Sequence, residues 1–282
     1  MANASKDPYW LATVRSEVEL EPELREVIEK KCATCHMPMA EVSAAAQGGA
    51  TLLLDEGFNS VDHSLHNLAR DGVSCTLCHQ VEADNFGQPE SFGGGFMIDL
   101  TVPNGSRFSY GPYQVGRQLV TIMQSSSGYI PQQGAHLSQS ELCGTCHNLV
   151  TPFVDTSGQV AGEFSEQAIY SEWENSAYPG VKGCMDCHMP AAAGALQLSI
   201  TGGPARTPFS QHVFAGGNAF IRCASGFVVN PATYYALKCF HLLILVQVHW
   251  INSQAWKLWL LARFTSRILI KINFPGAEDP VR

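Results

Sequence analysis

Cys32-Ala-Thr-Cys-His36 is the stretch from which the rest of this chain can be read. Its outline returns three times, as Cys75-Thr-Leu-Cys-His79, Cys143-Gly-Thr-Cys-His147 and Cys184-Met-Asp-Cys-His188. Cys-x-x-Cys by itself serves zinc sites, iron–sulfur clusters and redox dithiols alike. The histidine directly after the second cysteine separates these uses. Two thiols on one helical turn can each add to a vinyl group at the edge of a haem. The next residue then lies under the ring with its imidazole in reach of iron, which is the attachment chemistry of c-type haem. A zinc site would pair two such units or place His further along. A thioredoxin-like dithiol would need a βαβ context that this sequence does not offer. All four units carry the histidine. Cys32, Cys35, Cys75, Cys78, Cys143, Cys146, Cys184 and Cys187 are therefore expected to attach four haems c. His36, His79, His147 and His188 are expected to be their proximal iron ligands.

The first cysteines of successive motifs are 43, 68 and 41 residues apart. At about 55 residues per haem over residues 1–222, no segment can build an ordinary core of its own. The porphyrins must supply much of the interior and lie near one another. The fold expected is mainly α with extensive loops and little β, a multihaem cytochrome c fold built around four stacked haems.

An iron held by His on one face needs a ligand, or an opening, on the other. Of ten histidines, four are proximal, and His241 and His249 fall in a C-terminal stretch of different character. His63, His66, His136 and His212 remain, four candidates for four irons, which suits bis-His ligation throughout. His63 and His66 are three apart on an expected short helix over 62–70 and would point to one side of it. Met37, Met39 and Met189 read as packing.

The net charge is −8, which argues against a nucleic-acid partner. The charge is uneven. Residues 1–222 hold 11 Lys and Arg against 23 Asp and Glu; residues 223–282 hold six against two, with no acid between Asp186 and Glu278. The chain thus divides into 1–222, the haem-bearing part, and 223–282, an apolar and basic extension. Within it, 240–272 is too interrupted by polar residues for a spanning helix. Membrane association at the interface, packing on another subunit, or a segment foreign to this fold are the readings open there. The opening MANASKDPYWLATV holds no apolar run of the kind a secretory signal carries.

Longer signatures surround the motifs: DPYW (7–10), CATCHMPMA (32–40), ARDGVSCTLCHQ (69–80), YGPY (110–113), SELCGTCHNLVTP (140–152), YSEWENSAYPGVKGCMDCHMP (170–190) and HVFAGGNAF (212–220). Together they resemble bacterial multihaem c-type cytochromes of the cytochrome c-554-like group, over residue 7 to about 220. The resemblance implies that His66, His136 and His212 are distal ligands, whereas His63 rests on the count alone. It also implies a place outside the cytoplasm, periplasmic or extracellular, and electron flow along stacked haems. Some members of that group keep one iron open.

Residues 10–31 read as helix with a new start at Pro22. Residues 82–135, with Gly93-Gly94-Gly95, read as a long loop with one weak strand pair at FMIDLTV (96–102). Its aromatics Phe92, Phe96, Phe108, Tyr110 and Tyr113 are expected to cover haem edges. Residues 165–178 read as helix with Ser165 as N-cap, and 191–211 as a linker returning His212 to a haem, with Arg206 either solvated or beside a propionate. The function expected is electron transfer between redox partner proteins through four haems. The alternative is an oxidoreductase acting on a small nitrogen or sulfur oxyanion at one open-coordinate haem. A subunit of an oligomer or polymer is compatible with the first.

Overall fold

The computed structural model describes residue 1, residues 3–199 and residues 202–214, all within one unit, Met1–Gly216. The extension 223–282, with its membrane or subunit-packing readings, lies outside the described residues.

Asp7 starts the first helix, α1 (Pro8–Leu20), by accepting from the Tyr9 amide at 2.9 Å, with Pro8 at the first position where its missing N–H costs nothing. Pro22 ends that run and opens a single 3₁₀ turn (Pro22–Leu24), from which α2 (Arg25–His36) continues through the first motif. Pro38 restarts the chain as α3 (Pro38–Ala46). Three short helices carry the other motifs: α5 (Cys75–Cys78), α7 (Ser140–His147) and α9 (Cys184–His188). Each motif is therefore a helical turn, which puts its two thiols on one face.

Several expectations need correction. The helix before the second motif, α4, spans only His66–Arg70, and His63 sits in the preceding turn, so the two histidines do not share a helical face. FMIDLTV forms no strand; only Met97 bridges to Glu82. The pairing lies later, where β1 (Phe108–Gly111) runs parallel to β2 (Ile130–Gln133), joined by α6 (Arg117–Ser127). Ser165 is not an N-cap. It belongs to β4 (Val160–Gln167), which pairs antiparallel with β3 (Leu149–Val154), and the helix behind it is α8 (Ile169–Glu174). Asp155 makes that hairpin by accepting from the amides of Ser157 and Gln159. The 191–211 linker folds on itself through bridges Ala191–Ser210 and Leu196–Arg206.

The polypeptide's own core is small. Val14, Met37, Leu53 and Phe58 are fully buried, and around them pack Ala33, Ala40, Ala44, Leu54 and Ala69. The small residues let α2, α3 and α4 approach closely. Met37 is thus core, as expected from the sequence. Among the described residues 21 large hydrophobics are exposed against 15 hydrophobics buried, so protein packing alone leaves much apolar surface in water.

Glu29 fastens the loop over this core. Its carboxylate is fully buried, takes Arg25 Nε at 2.7 Å, and accepts the backbone amides of Leu53 and Leu54. Arg25 also bonds Asp55 at 2.9 Å, which closes the loop from outside. Removing the carboxylate strands two buried amides. Glu29→Ala is expected to destabilise the folded protein by about 3 kcal/mol and Glu29→Gln by less, as read from denaturant unfolding followed by circular dichroism.

Glu41 on α3 is also buried, and burial raises its pKa, with Lys30 pulling the other way. The folded carboxyl then holds its proton more tightly than the unfolded one. Its contribution is neutral in acid and turns unfavourable as pH rises through the raised folded pKa. Glu41→Gln should therefore raise the melting temperature at pH 7, and the gain should vanish below about pH 4.

Candidate cofactor site

The four motifs converge, with the third in the middle. Cys146 hydrogen-bonds the Cys35 thiol of the first motif, and this bond lowers the Cys35 pKa. Cys143 does the same for Cys184 of the fourth, whose pKa falls to about 6. Cys78 of the second motif is raised to about 11, by burial and then by the charge of Cys146. Cys32 is raised to about 12, by burial and then by Glu166, Glu17 and Glu29.

Backbone contacts hold this convergence. Ser140 Oγ accepts the Cys184 amide at 3.1 Å, which docks the fourth motif on the start of α7. The Gly93–Gly95 run, expected to be plain loop, threads between the first and third motifs. Gly93 N–H donates to Asn148 O at 2.8 Å and Gly94 N–H to Thr145 O at 2.6 Å, while Lys31 Nζ reaches Gly93 O at 2.9 Å. Gly94 has φ +88°, and a Cβ there would collide with Thr34 Cγ2 and lie 3.5 Å from Cys35 Sγ. Tyr170 lies flat on Gly144 inside the third motif, where a Cβ would be 2.7 Å from its ring.

The histidines divide by which ring nitrogen is engaged. A carbonyl can only accept, so a nitrogen facing one carries the proton. His36 turns Nδ1 to Ala4 O at 3.1 Å, His79 turns Nδ1 to Tyr110 O at 2.5 Å, and His66 turns Nδ1 to Phe58 O at 3.0 Å. Each leaves Nε2 bare and its ring direction fixed, the arrangement by which proteins prepare an imidazole for a metal. Trp10 adds to this by stacking on the His36 ring at 4.1 Å and 4°. Burial lowers the His36 pKa, so the ring stays neutral and its lone pair available.

His63 is the reverse case. Its Nδ1 accepts the Leu65 amide at 3.1 Å, so the proton sits on Nε2. His136 turns Nε2 to Val81 O at 2.9 Å, and its ring is enclosed by Tyr110 at 4.8 Å and Phe86 at 5.9 Å. Its Nδ1 lies against Gly134. His212 faces His79 with ring centroids 6.2 Å apart and planes 22° apart. His147 and His188 are exposed at the motif ends; the surrounding protein and then the His188 charge lower the His147 pKa.

The loop aromatics pack among themselves and on histidine. Phe92 meets Tyr170 at 5.2 Å and Phe108 meets Tyr110 at 6.1 Å. Arg206 is half-buried, lies 5.1 Å over the Tyr113 ring and donates to Gln114 O at an exposed position. Sequence reasoning missed Trp10, Gly94 and the three carbonyl partners. DPYW and GGG were visible as signatures, but the carbonyls of Ala4, Phe58 and Tyr110 carry no side-chain signal at all.

The donor set fits haem. No group of three or more His, Cys, Asp or Glu among the described residues is placed to hold a bare metal ion. A haem iron asks for less, because the porphyrin fills the equatorial positions and only axial side chains are required. No family model, curated protein or solved structure matches this chain. The likeness to the c-554-like group therefore rests on the residues quoted for it above. No helix among the described residues is long and apolar enough to cross a membrane.

The Gly94 geometry gives a direct test of the convergence. Gly94→Ala should destabilise the protein by about 2 kcal/mol, from the positive φ and the clash with Thr34 together, seen as a lower melting temperature at unchanged helix content.

Proposed function

We propose that this chain is an electron-transfer protein of multihaem cytochrome type, carrying four haems c on its Cys-x-x-Cys-His turns outside the cytoplasm. The observation that carries this reading is that all four Cys-x-x-Cys-His units sit on helical turns that meet around the third. Two imidazoles binding one iron from opposite sides, each nitrogen about 2 Å from it, have ring centroids about 6 Å apart. His79 and His212, a stacked pair, lie at a similar centroid distance of 6.2 Å. The Nδ1 anchors of His36, His66 and His79 support the same reading.

The haems supply the one-electron couple. The chain's residues do the rest. Cys32 to Cys187 fasten the groups, and the central third motif brings the attachment points together so that neighbouring sites lie near enough for outer-sphere transfer. The carbonyls of Ala4, Phe58 and Tyr110 fix imidazole direction, and so the axial field at each iron. The acidic balance of residues 1–222 favours redox partners with a basic face through electrostatic steering.

A second reading has one observation in its favour. Of the four distal candidates, His63 and His136 have Nε2 protonated in this structure, which leaves His66 and His212 ready to bind. An iron without a distal ligand would make the protein a multihaem oxidoreductase, with a small nitrogen or sulfur oxyanion as substrate.

Electron paramagnetic resonance of the oxidised, haem-loaded protein separates the two. The electron carrier gives low-spin haem only. A high-spin signal from one or two haems in four favours the oxidoreductase. Single variants assign the ligands: His212→Ala and His66→Ala should each convert one haem to high spin, while His63→Ala should do so in the electron carrier and leave the spectrum unchanged in the oxidoreductase. A new high-spin haem in His63→Ala would mean that the His63 proton moves to Nδ1 on haem binding, and it supports the electron carrier.

A further inference from the structure

His36 is gripped from two sides by one short segment. Ala4, in a 3₁₀ turn (Ala4–Lys6), presents its carbonyl to Nδ1 at 3.1 Å. Trp10, in the first turns of α1, lays its indole flat on the same ring. Asp7 joins the two by starting α1 between them, and Arg70 Nη1 pins the turn by donating to Ser5 O at 3.2 Å. The indole is itself held, because it packs against the buried cluster that contains Val14, Ala33 and Met37.

The two contacts fix different things. A hydrogen bond keeps most of its strength over about 30° of tilt, so Ala4 O sets where Nδ1 points and leaves the ring plane loosely defined. A parallel stack at 4.1 Å and 4° defines the plane itself. His66 and His79 share the carbonyl anchor. His136 and His63 have aromatic neighbours, but Tyr110 and Phe58 meet them edge-on, at 75° and 79°. His36 combines the carbonyl anchor with a parallel indole.

We infer that Trp10 is the positioning residue that sets the plane of the His36 imidazole at the first haem, and with it the axial field and reduction potential of that haem. The inference rests on the haem reading above. The orbital splitting of a low-spin iron follows the planes of its axial imidazoles, so a locked plane gives the first haem g values of its own. A ligand that cannot swing also changes little between the two oxidation states, which favours outer-sphere transfer.

Substitution of the full haem-loaded chain tests it. Trp10→Leu keeps an apolar side chain and loses the flat partner; Trp10→Phe keeps a flat one. Trp10→Leu should move the g values of one low-spin haem in four and shift one of four steps in a spectroelectrochemical titration, while Trp10→Phe stays close to the unaltered protein. A merely structural side chain would lower the melting temperature and leave the spectrum alone. Unmoved g values and potentials in Trp10→Leu, or shifts spread over all four haems, overturn the inference. Pulsed electron–nuclear double resonance on the unaltered chain, grown with ring-deuterated tryptophan, decides even if Trp10→Leu fails to fold. Deuteron couplings should appear at the g values of one haem and be lost in Trp10→Phe; their absence overturns the inference too. Intact mass keeps the two failures apart. Four haems with an unmoved spectrum sink the role of Trp10 alone, whereas a haem-free chain sinks the reading beneath it as well.

Discussion

Three backbone carbonyls orient three imidazoles, and much of this structure serves to put those carbonyls in place. Ala4 reaches His36 only because Asp7 starts α1 and Trp10 then stacks on the ring. Phe58 reaches His66 because Glu29 clasps the Leu53–Leu54 amides and so fixes the loop that follows. Tyr110 reaches His79 because β1 pairs with β2 and because the Tyr110 amide itself donates back to His79 O at 2.7 Å. The anchoring is thus reciprocal with the fold: each loop that looks idle in sequence ends on a ring nitrogen.

The second constraint is the meeting of the motifs around Cys146. Spacings of 43, 68 and 41 residues carry no order in space by themselves. Order comes from Ser140 docking the fourth motif, from Thr145 and Asn148 docking the glycine run, and from Gly94 admitting the first motif's Thr34. A chain arranged this way gains little from its own apolar packing. Its buried set is short and rich in alanine, while Phe153, Phe164, Ile122 and Val181 stand in water. That balance is what a polypeptide built to wrap large apolar groups would show.

What the sequence revealed was local form. The four Cys-x-x-Cys-His units were legible as a repeat, and each lies on a helical turn; the break at Pro22 was legible because proline removes a donor. What stayed hidden was set by tertiary context. Ser165 resembled a helix cap, yet strand pairing with Val150 captured it. FMIDLTV had strand composition but found no partner beyond the Glu82–Met97 bridge. His63 and His66 looked equivalent by count. They differ because one nitrogen accepts an amide and the other donates to a carbonyl, a distinction that no residue type encodes.

The central claim is that eight cysteines carry four haems. Intact-mass determination of the purified, denatured and reduced chain tests it most directly, after production in a host that attaches haem c. The account predicts a polypeptide heavier by the mass of four haems, with Cys223 and Cys239 the sole thiols left to alkylate. A chain at the bare 30.6 kDa with all ten thiols reactive would contradict it.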